Sequence, residues 1–194
     1  MTREHTMQTN IGSLLLRRAA LNGEREAWVD GSTGLRLTYS ELAERTMRTS
    51  NALIAAGVGP GDRVGLLLMN SAEFVESFFA IARIGAVIVP LNWRLVADEL
   101  EFILADSGTS TLIFGDEFAE VVTELHSRGE KTDIRRWIQV TNAAPEAFAD
   151  VYETVRDAAS STPPDEGGAD EDMLYIMYTS NSTGLPKGVV HSHT

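Results

Sequence analysis

Residues 178–193 read YTSNSTGLPKGVVHSH, a run of hydroxyls with one glycine leading to a lysine and then to a short apolar segment. Hydroxyls, backbone N–H groups and an ammonium grouped this way suit the oxygens of a phosphate. Spacing excludes a Walker-type loop. That motif needs a glycine, four residues and then Gly-Lys-Ser/Thr, so that the hydroxyl after the lysine can hold Mg2+. Here only Leu185 and Pro186 separate Gly184 from Lys187, and Gly188 follows the lysine. The segment GVVHS beyond it has the character of a strand, so no helix dipole would face the anion. A strand–loop–strand turn is a different device, whose hydroxyls and N–H groups wrap a polyphosphate while the lysine adds charge. Serine, threonine, asparagine and glycine are also the residues of an ordinary solvated turn, and composition alone leaves the two readings level. The NST at 181–183 is a formal glycosylation sequon, without expected consequence in the absence of a signal peptide. His191 and His193 form an H-x-H pair with no other clustered ligand, so no metal site is expected.

Such a turn has to be held by the strands on either side, and the rest of the chain supplies a pattern for them. Apolar residues at helical spacing (Ile11, Leu14, Leu15, Ala19) predict a short helix over 11–20. AWVDGSTGLRLTYSEL reads as two short strands around a glycine-rich turn. Thr38 and Glu41 form a capping-box pattern opening a helix to about Ala56, and Ser71 caps another that runs to Ile84 and is closed by Gly85. RVGLLLM (63–69), AVIVP, TLIF (111–114) and RWIQV (136–140) are almost wholly apolar, the mark of strands buried on both faces. Helices predicted over 97–106 and 117–128, and one between Pro145 and Ala159, complete the alternation. Strand–helix alternation of this kind gives an α/β fold with a mostly parallel sheet flanked by helices. SSTPPDEGGADED (160–172) breaks the pattern and is expected to be a mobile acidic surface linker, a solvated run rather than a metal site. MLYIMYT (173–179) is then a strand that delivers the hydroxyl-rich turn at its carboxyl end, where open parallel sheets bind ligands. The expected division is therefore an N-terminal α/β subdomain over 1–159, the linker over 160–172, and a strand with its phosphate-binding loop over 173–194, opening a further, truncated subdomain.

Composition narrows the function classes. The chain has 194 residues, 43% apolar and 23% charged, ordinary for a globular protein with one good core. Its net charge of −12 argues against non-specific nucleic-acid binding. It has no cysteine, which excludes disulfides, thiolate nucleophiles and Cys-based zinc sites and fits a reducing cytoplasm. The apolar core of MTREHTMQTNIGSLLLRRAA is too short and broken for a signal peptide or a membrane span, and Arg17–Arg18 reads as an exposed helix face. Trp28, Trp93 and Trp137 are read as packing or surface residues.

YTSNSTGLPKG closely resembles the signature loop of the adenylate-forming (AMP-binding) superfamily, whose usual form is Tyr-Thr-Ser-Gly-Thr/Ser-Thr-Gly-x-Pro-Lys-Gly. LTYSELAERTMRTSNALIAAGVGPGDRV (37–64) and ARIGAVIVPLNWRLVADELEFILADSG (82–108) resemble two further conserved blocks, and the wording VPLNWRL is closer to acyl-CoA synthetases than to peptide synthetases. The resemblance runs from about residue 11 to the last. It implies the N-terminal part of such an enzyme's large domain. It also implies a two-step ligase: ATP and a carboxylic acid give an acyl-adenylate and pyrophosphate, and coenzyme A takes the acyl group, with Mg2+ neutralising the phosphates. Thr179, Ser180, Ser182, Thr183 and Gly184 match loop positions that contact phosphate. Lys187 matches the lysine that contributes to catalysis, Pro186 and Gly188 match positions that shape the turn, and His193 matches a histidine that commonly follows the strand. Asn181 stands where the family usually has glycine. The groups that hold adenine, ribose and metal, and the mobile C-terminal domain, follow this loop in the family. The 194-residue chain is therefore expected to be inactive alone. The alternative reading is a non-catalytic remnant or interaction module of the same fold.

Overall fold

The apolar runs become strands because each offers side chains to two faces at once. The computed structural model describes residues 10–168, 170–181 and 184–194, and at 180, 181 and 184 the backbone alone. In chain order the elements are α1 (Gly12–Asn22), β1 (Glu26–Val29), β2 (Arg36–Thr38), α2 (Tyr39–Ala55), β3 (Arg63–Leu67), α3 (Ala72–Arg83), β4 (Val87–Pro90), α4 (Ala97–Ser107) and β5 (Thr109–Gly115). There follow α5 (Ala119–Ser127), β6 (Arg136–Val140), β7 (Asp150–Val151), α6 (Tyr152–Ala158), β8 (Met173–Asn181) and β9 (Gly184–Ser192). β1 and β2 form an antiparallel pair, and the other seven strands form one sheet in the order β7-β6-β5-β3-β4-β8-β9. Within that sheet every neighbouring pair is parallel except β8 and β9.

Alternation along the strands splits the core in two. Val64, Leu66, Ile88, Ile113 and Ile138 pack on one face with Leu53 of α2, Ile81 of α3 and Tyr152 of α6. Leu67, Val89, Leu112 and Phe114 pack on the other with Leu100, Ile103 and Leu104 of α4 and Val122 and Leu125 of α5. Period-two burial on both faces is why the sequence shows continuous rather than alternating apolar runs. α1 and the β1–β2 pair add a smaller cluster around Leu15, Leu37 and Leu42.

The helix starts follow the cap chemistry. Thr38 Oγ1 accepts the Glu41 N–H at 3.2 Å while Glu41 Oε2 accepts the Thr38 N–H at 2.8 Å, the reciprocal pair of a capping box. Those bonds hold the Glu41 carboxyl below its ordinary pKa. Ser71 Oγ accepts from Phe74 N at 3.2 Å. Two helices depart from expectation. The one placed over 117–128 opens with a 3-10 turn at Asp116–Phe118, and the one placed between Pro145 and Ala159 shrinks to α6. The sheet edge competes for that second segment: Asp150 and Val151 pair with Ile138 and Gln139, and the Glu146 N–H bonds the Gln139 side chain instead of a helical carbonyl.

The face between α2, α3 and α6 carries a buried polar network. Glu76, fully buried, accepts from Arg45 Nε at 2.6 Å and from an Arg156 guanidinium nitrogen at 3.1 Å. Beside it the Tyr152 hydroxyl bonds the hydroxyls of Thr49 and Ser77, each at 3.0 Å. Burial, with Glu76 close by, pushes the Tyr152 phenol well above its ordinary pKa.

The stretch 160–172, expected to be a mobile linker, is fastened at several points because its carbonyls find donors on the helices. Asn51 donates to Ser160 O at 2.7 Å and Thr162 O at 2.8 Å, and Arg83 to Pro164 O at 2.7 Å, while Arg48 holds the residue just before the stretch through Ala159 O at 2.7 Å. Arg83 also pairs with Glu166, and Asn10 Nδ2 donates to Gly167 O at 2.6 Å. Gly167 bridges Ile84 so closely that a Cβ on Gly85, whose φ is +71°, would lie 2.5 Å from the Gly167 carbonyl carbon. Gly85→Ala is therefore expected to cost about 2 kcal/mol or more, from left-handed strain and displacement of the strap. At Gly57, whose φ is +90° and whose Cβ would meet nothing within 4 Å, the same change costs only the strain, about 1 kcal/mol. Urea midpoints at unchanged slope measure both, and equal losses at the two positions would show the close approach to be immaterial.

Candidate functional site

β8 enters the sheet beside β4 with Tyr175 opposite Ile88. β4 ends at Pro90, two residues further on, whereas β8 continues to Asn181, six residues past Tyr175. The far end of β8 therefore runs past the carboxyl end of β4, by roughly 13 Å at 3.3 Å per residue. This is the end at which such sheets receive ligands.

Aromatic and glycine residues set the hairpin's pose. The Tyr178 hydroxyl donates to Asp106 Oδ2 of α4 at 2.6 Å. Partial burial and the Asp106 carboxylate raise the Tyr178 pKa, so the phenol stays protonated and the donor is permanent. Gly188 lies across from Tyr178 in the ladder, and a Cβ there would come within 2.9 Å of Ile176 and 3.1 Å of the Tyr178 ring. Gly188 thus sits inside β9, away from the turn, where it makes room for that ring. Tyr175 stacks on His191 with ring centres 4.5 Å apart.

His193 is 3% exposed, and its Nδ1 accepts the Ile11 N–H at 3.0 Å, tying the end of the hairpin to the start of α1. An accepting Nδ1 requires the proton on Nε2, which is buried without a partner among the described residues. Burial lowers the His193 pKa, and Asp172 and Asp170 oppose the shift. The folded chain therefore holds the ring neutral where the unfolded chain protonates it. Stability is full above the ordinary histidine pKa of about 6.5 and is lost as pH falls below it toward the depressed value. The melting temperature is expected to drop between pH 7.5 and 5.5, and His193→Asn should flatten that slope while lowering stability at both values. An unchanged slope would remove His193 from the linkage.

The residues singled out from sequence fall as follows. Thr179 and Lys187 are directly opposite each other in the antiparallel ladder, so their side chains share one face, and both are exposed. Lys187 makes no ion pair among the described residues. Ser180 and Asn181 continue β8, and Gly184 opens β9 with its Cα opposite Asn181. Ser182 and Thr183 lie outside the described residues. A hydroxyl and an unpaired ammonium on one face of an overhanging hairpin fit the oxygens of a polyphosphate. Among the described residues no group of three or more His, Asp or Glu could hold a metal ion. The sequence missed the Tyr178–Asp106 anchor, though Tyr178 stands in the quoted motif. It also missed a cavity of about 690 Å3 between the carboxyl ends of β3 and β5, lined by Met69, Trp93, Leu95, Phe118 and Val121. The order of strand addition reverses there, which favours a crevice, and Trp93, read as a packing or surface residue, lines it.

Comparison with known proteins places this geometry. The description AMP-binding enzyme matches residues 15–194. The chain is 41% identical over 185 residues to the long-chain-fatty-acid–CoA ligase FadD13 of Mycobacterium tuberculosis, covering 95% of this chain and 35% of that protein. It is 41% identical over 183 residues to a feruloyl-CoA synthase of Amycolatopsis, covering 94% and 33%. The crystal structure of the anthranilate CoA ligase AuaEII with anthranoyl-AMP matches with a TM-score of 0.88 at 28% identity, over 96% of this chain and 35% of that one. The chain thus spans about a third of the length of the relatives it matches. With nearly all of its residues inside that match, the chain belongs to the AMP-binding enzyme family.

Proposed function

We propose that this chain supplies the phosphate-handling hairpin of an ATP-dependent acid–CoA ligase. The observation that carries the reading is the Thr179–Lys187 pair, exposed and on one face at the carboxyl end of the sheet. In the proposed reaction a carboxylate oxygen attacks the α-phosphorus of ATP, and the bond to the bridging oxygen breaks to release pyrophosphate. The thiol of coenzyme A then attacks the acyl carbonyl and AMP departs. The hydroxyls and N–H groups of 179–184 would hold the β- and γ-phosphates, with Lys187 placed for the charge that grows on the departing pyrophosphate. Mg2+ enters only as the counter-ion of the triphosphate. The likeness to ligases named for long-chain fatty acids and for ferulate supports the reaction class and leaves the acid open.

The same reading takes 1–159 as one subdomain, 160–172 as its tether and 173–194 as the opening of the next. It assigns a cytoplasmic site of action on the absence of cysteine, and no nucleic-acid partner on the charge of −12. No helix among the described residues is long and apolar enough to cross a membrane. Isotope exchange between pyrophosphate and ATP, in a protein that carries this sequence ahead of a complete adenylating site, tests the proposal. Exchange that depends on a carboxylic acid, with the adenylate trapped by hydroxylamine, is expected. ATP turnover indifferent to every acid in a panel of fatty and aromatic carboxylates would overturn it.

A further inference from the structure

The opposite, amino-terminal end of the sheet carries a second arrangement of charge and apolar surface that the ligase chemistry does not use. Arg63 opens β3, and its guanidinium is fixed by three carbonyls: Ser107 O, Gly61 O and Gly108 O, each at 2.8 Å. Those bonds use three of its five N–H donors and leave two free. The ladder puts Thr111 beside Val64 on one side and beside Arg136 on the other, so Arg136 stands two strands from β3, roughly 10 Å away. Arg135 precedes it, held through its backbone N–H to Ser110 O at 2.8 Å. Arg63, Arg135 and Arg136, with Ser110, line a cavity of about 550 Å3.

Asp62 and Asp133 line the same cavity, yet neither is within ion-pair distance of the three arginines, and Asp62 Oδ2 is engaged by the Gly59 N–H at 2.8 Å. In a chain of net charge −12, Arg36, Arg45, Arg48, Arg83, Arg128 and Arg156 all find carboxylates. Among the described residues Arg17, Arg18, Arg25 and Arg94 also lack an ion pair; what sets Arg63, Arg135 and Arg136 apart is that all three line one cleft against two acids, which marks a place for an outside anion. A second cavity of about 350 Å3 adjoins it, and Arg136 and Ala56 line both. Its walls are mostly apolar, with Ala52 and Ala55 of α2, Ile138 of β6, and Val155 and Ala158 of α6, and Asp150 of β7 is the one acid among them. A cationic cleft opening beside an apolar one matches a ligand with an anionic head and one hydrocarbon tail.

We propose that this end of the sheet binds a single-chain anionic amphiphile, its phosphate or carboxylate head among Arg63, Arg135 and Arg136 and its tail between α2 and α6. β5 spans the sheet from this cleft to the hairpin's end, about 20 Å, so the site is separate from the phosphate-handling loop. Octyl phosphate below its micellar concentration is the probe, followed by amide chemical shifts in the isotopically labelled chain. Shifts are expected at Gly57, Gly61, Gly108, Ser110 and Ala56. Octyl phosphate should bind about tenfold or more tightly than inorganic phosphate, which lacks the tail, and than octyl glucoside, which lacks the charge. Arg135→Gln with Arg136→Gln should weaken octyl phosphate about tenfold at unchanged circular dichroism. Ala52→Leu should weaken octyl phosphate and leave inorganic phosphate alone. The proposal is overturned if inorganic phosphate binds as tightly as octyl phosphate, if the shifts gather at 179–188, or if both sets of variants bind as the parent does. Octyl carboxylate in place of the phosphate distinguishes the two heads, and binding of either by the arginine cleft upholds the inference.

Discussion

Lys187→Ala, in a protein that carries this sequence ahead of a complete adenylating site, should slow acyl-adenylate formation about a hundredfold, close to 3 kcal/mol of barrier. Its carboxylate affinity should change little. The lysine is exposed and makes no ion pair among the described residues, so its removal costs the fold almost nothing. Any loss of rate is then chemical. If Lys187 faces the departing pyrophosphate as proposed, the extra negative charge that gathers there is felt more in the transition state than in the ground state, so the loss would appear mainly in the rate. Asn181→Gly should leave the rate unchanged or raise it, because it removes a side chain from the position where the family usually has none. Pyrophosphate exchange, read with the melting temperature of each variant, measures both. An intact rate in Lys187→Ala, together with a loss in Asn181→Gly, would mean that the hairpin does not handle phosphate.

Glu76→Ala should cost about 3–5 kcal/mol of folding stability, enough to unfold many domains of this size. The carboxylate is fully buried, and its loss strands Arg156, whose side chain is 7% exposed. Arg45 has Glu73 at 3.1 Å to fall back on, whereas among the described residues Arg156 keeps only the outward-facing Asp157 as an ion-pair partner. The penalty is therefore mostly that of an uncompensated buried cation rather than of a lost attraction. Replacing both partners, as Glu76→Leu with Arg156→Met, should recover much of the loss, since apolar groups of similar volume carry no desolvation cost. Urea denaturation of the two singles and the double gives the coupling. A single variant within 1 kcal/mol of the parent would show that water reaches the network.

What could be read from the sequence was whatever local chemistry decides. The four apolar runs read as strands because burial on two faces leaves few polar positions, and Thr38 with Glu41 had to open a helix because both capping bonds are made within four residues. The hairpin could be read for the same reason: its residues are contiguous. Long-range pairings were invisible. Pro164 and Gly167 look like turn residues, and nothing local shows that their carbonyls or backbone meet Arg83 and Ile84. β7 exists only because β6 offers it partners, and this edge pairing leaves the helix expected between Pro145 and Ala159 to α6. Tyr178 reaches Asp106 across 72 residues. Arg63 and Arg136 come together only through the register of β3, β5 and β6.

The fastening of α1 to the hairpin has a consequence for the order in which the molecule is made. Asn10 donates to Ala82 O and Gly167 O, and the Ile11 N–H reaches His193, 182 residues later in synthesis. At the usual pace of a ribosome, about 5–20 residues per second, α1 waits roughly ten to forty seconds for the last of these partners. The strands β3 to β6 emerge within that interval and can pair as they appear, while the outer edge of β4 stays open until β8 arrives, Tyr175 lying 87 residues after its partner Ile88. Pairing across that distance is slow to close. Among β3 to β6, β4 therefore keeps an open edge longest during translation, and the contact between Ile11 and His193 forms only after those strands have had time to pair.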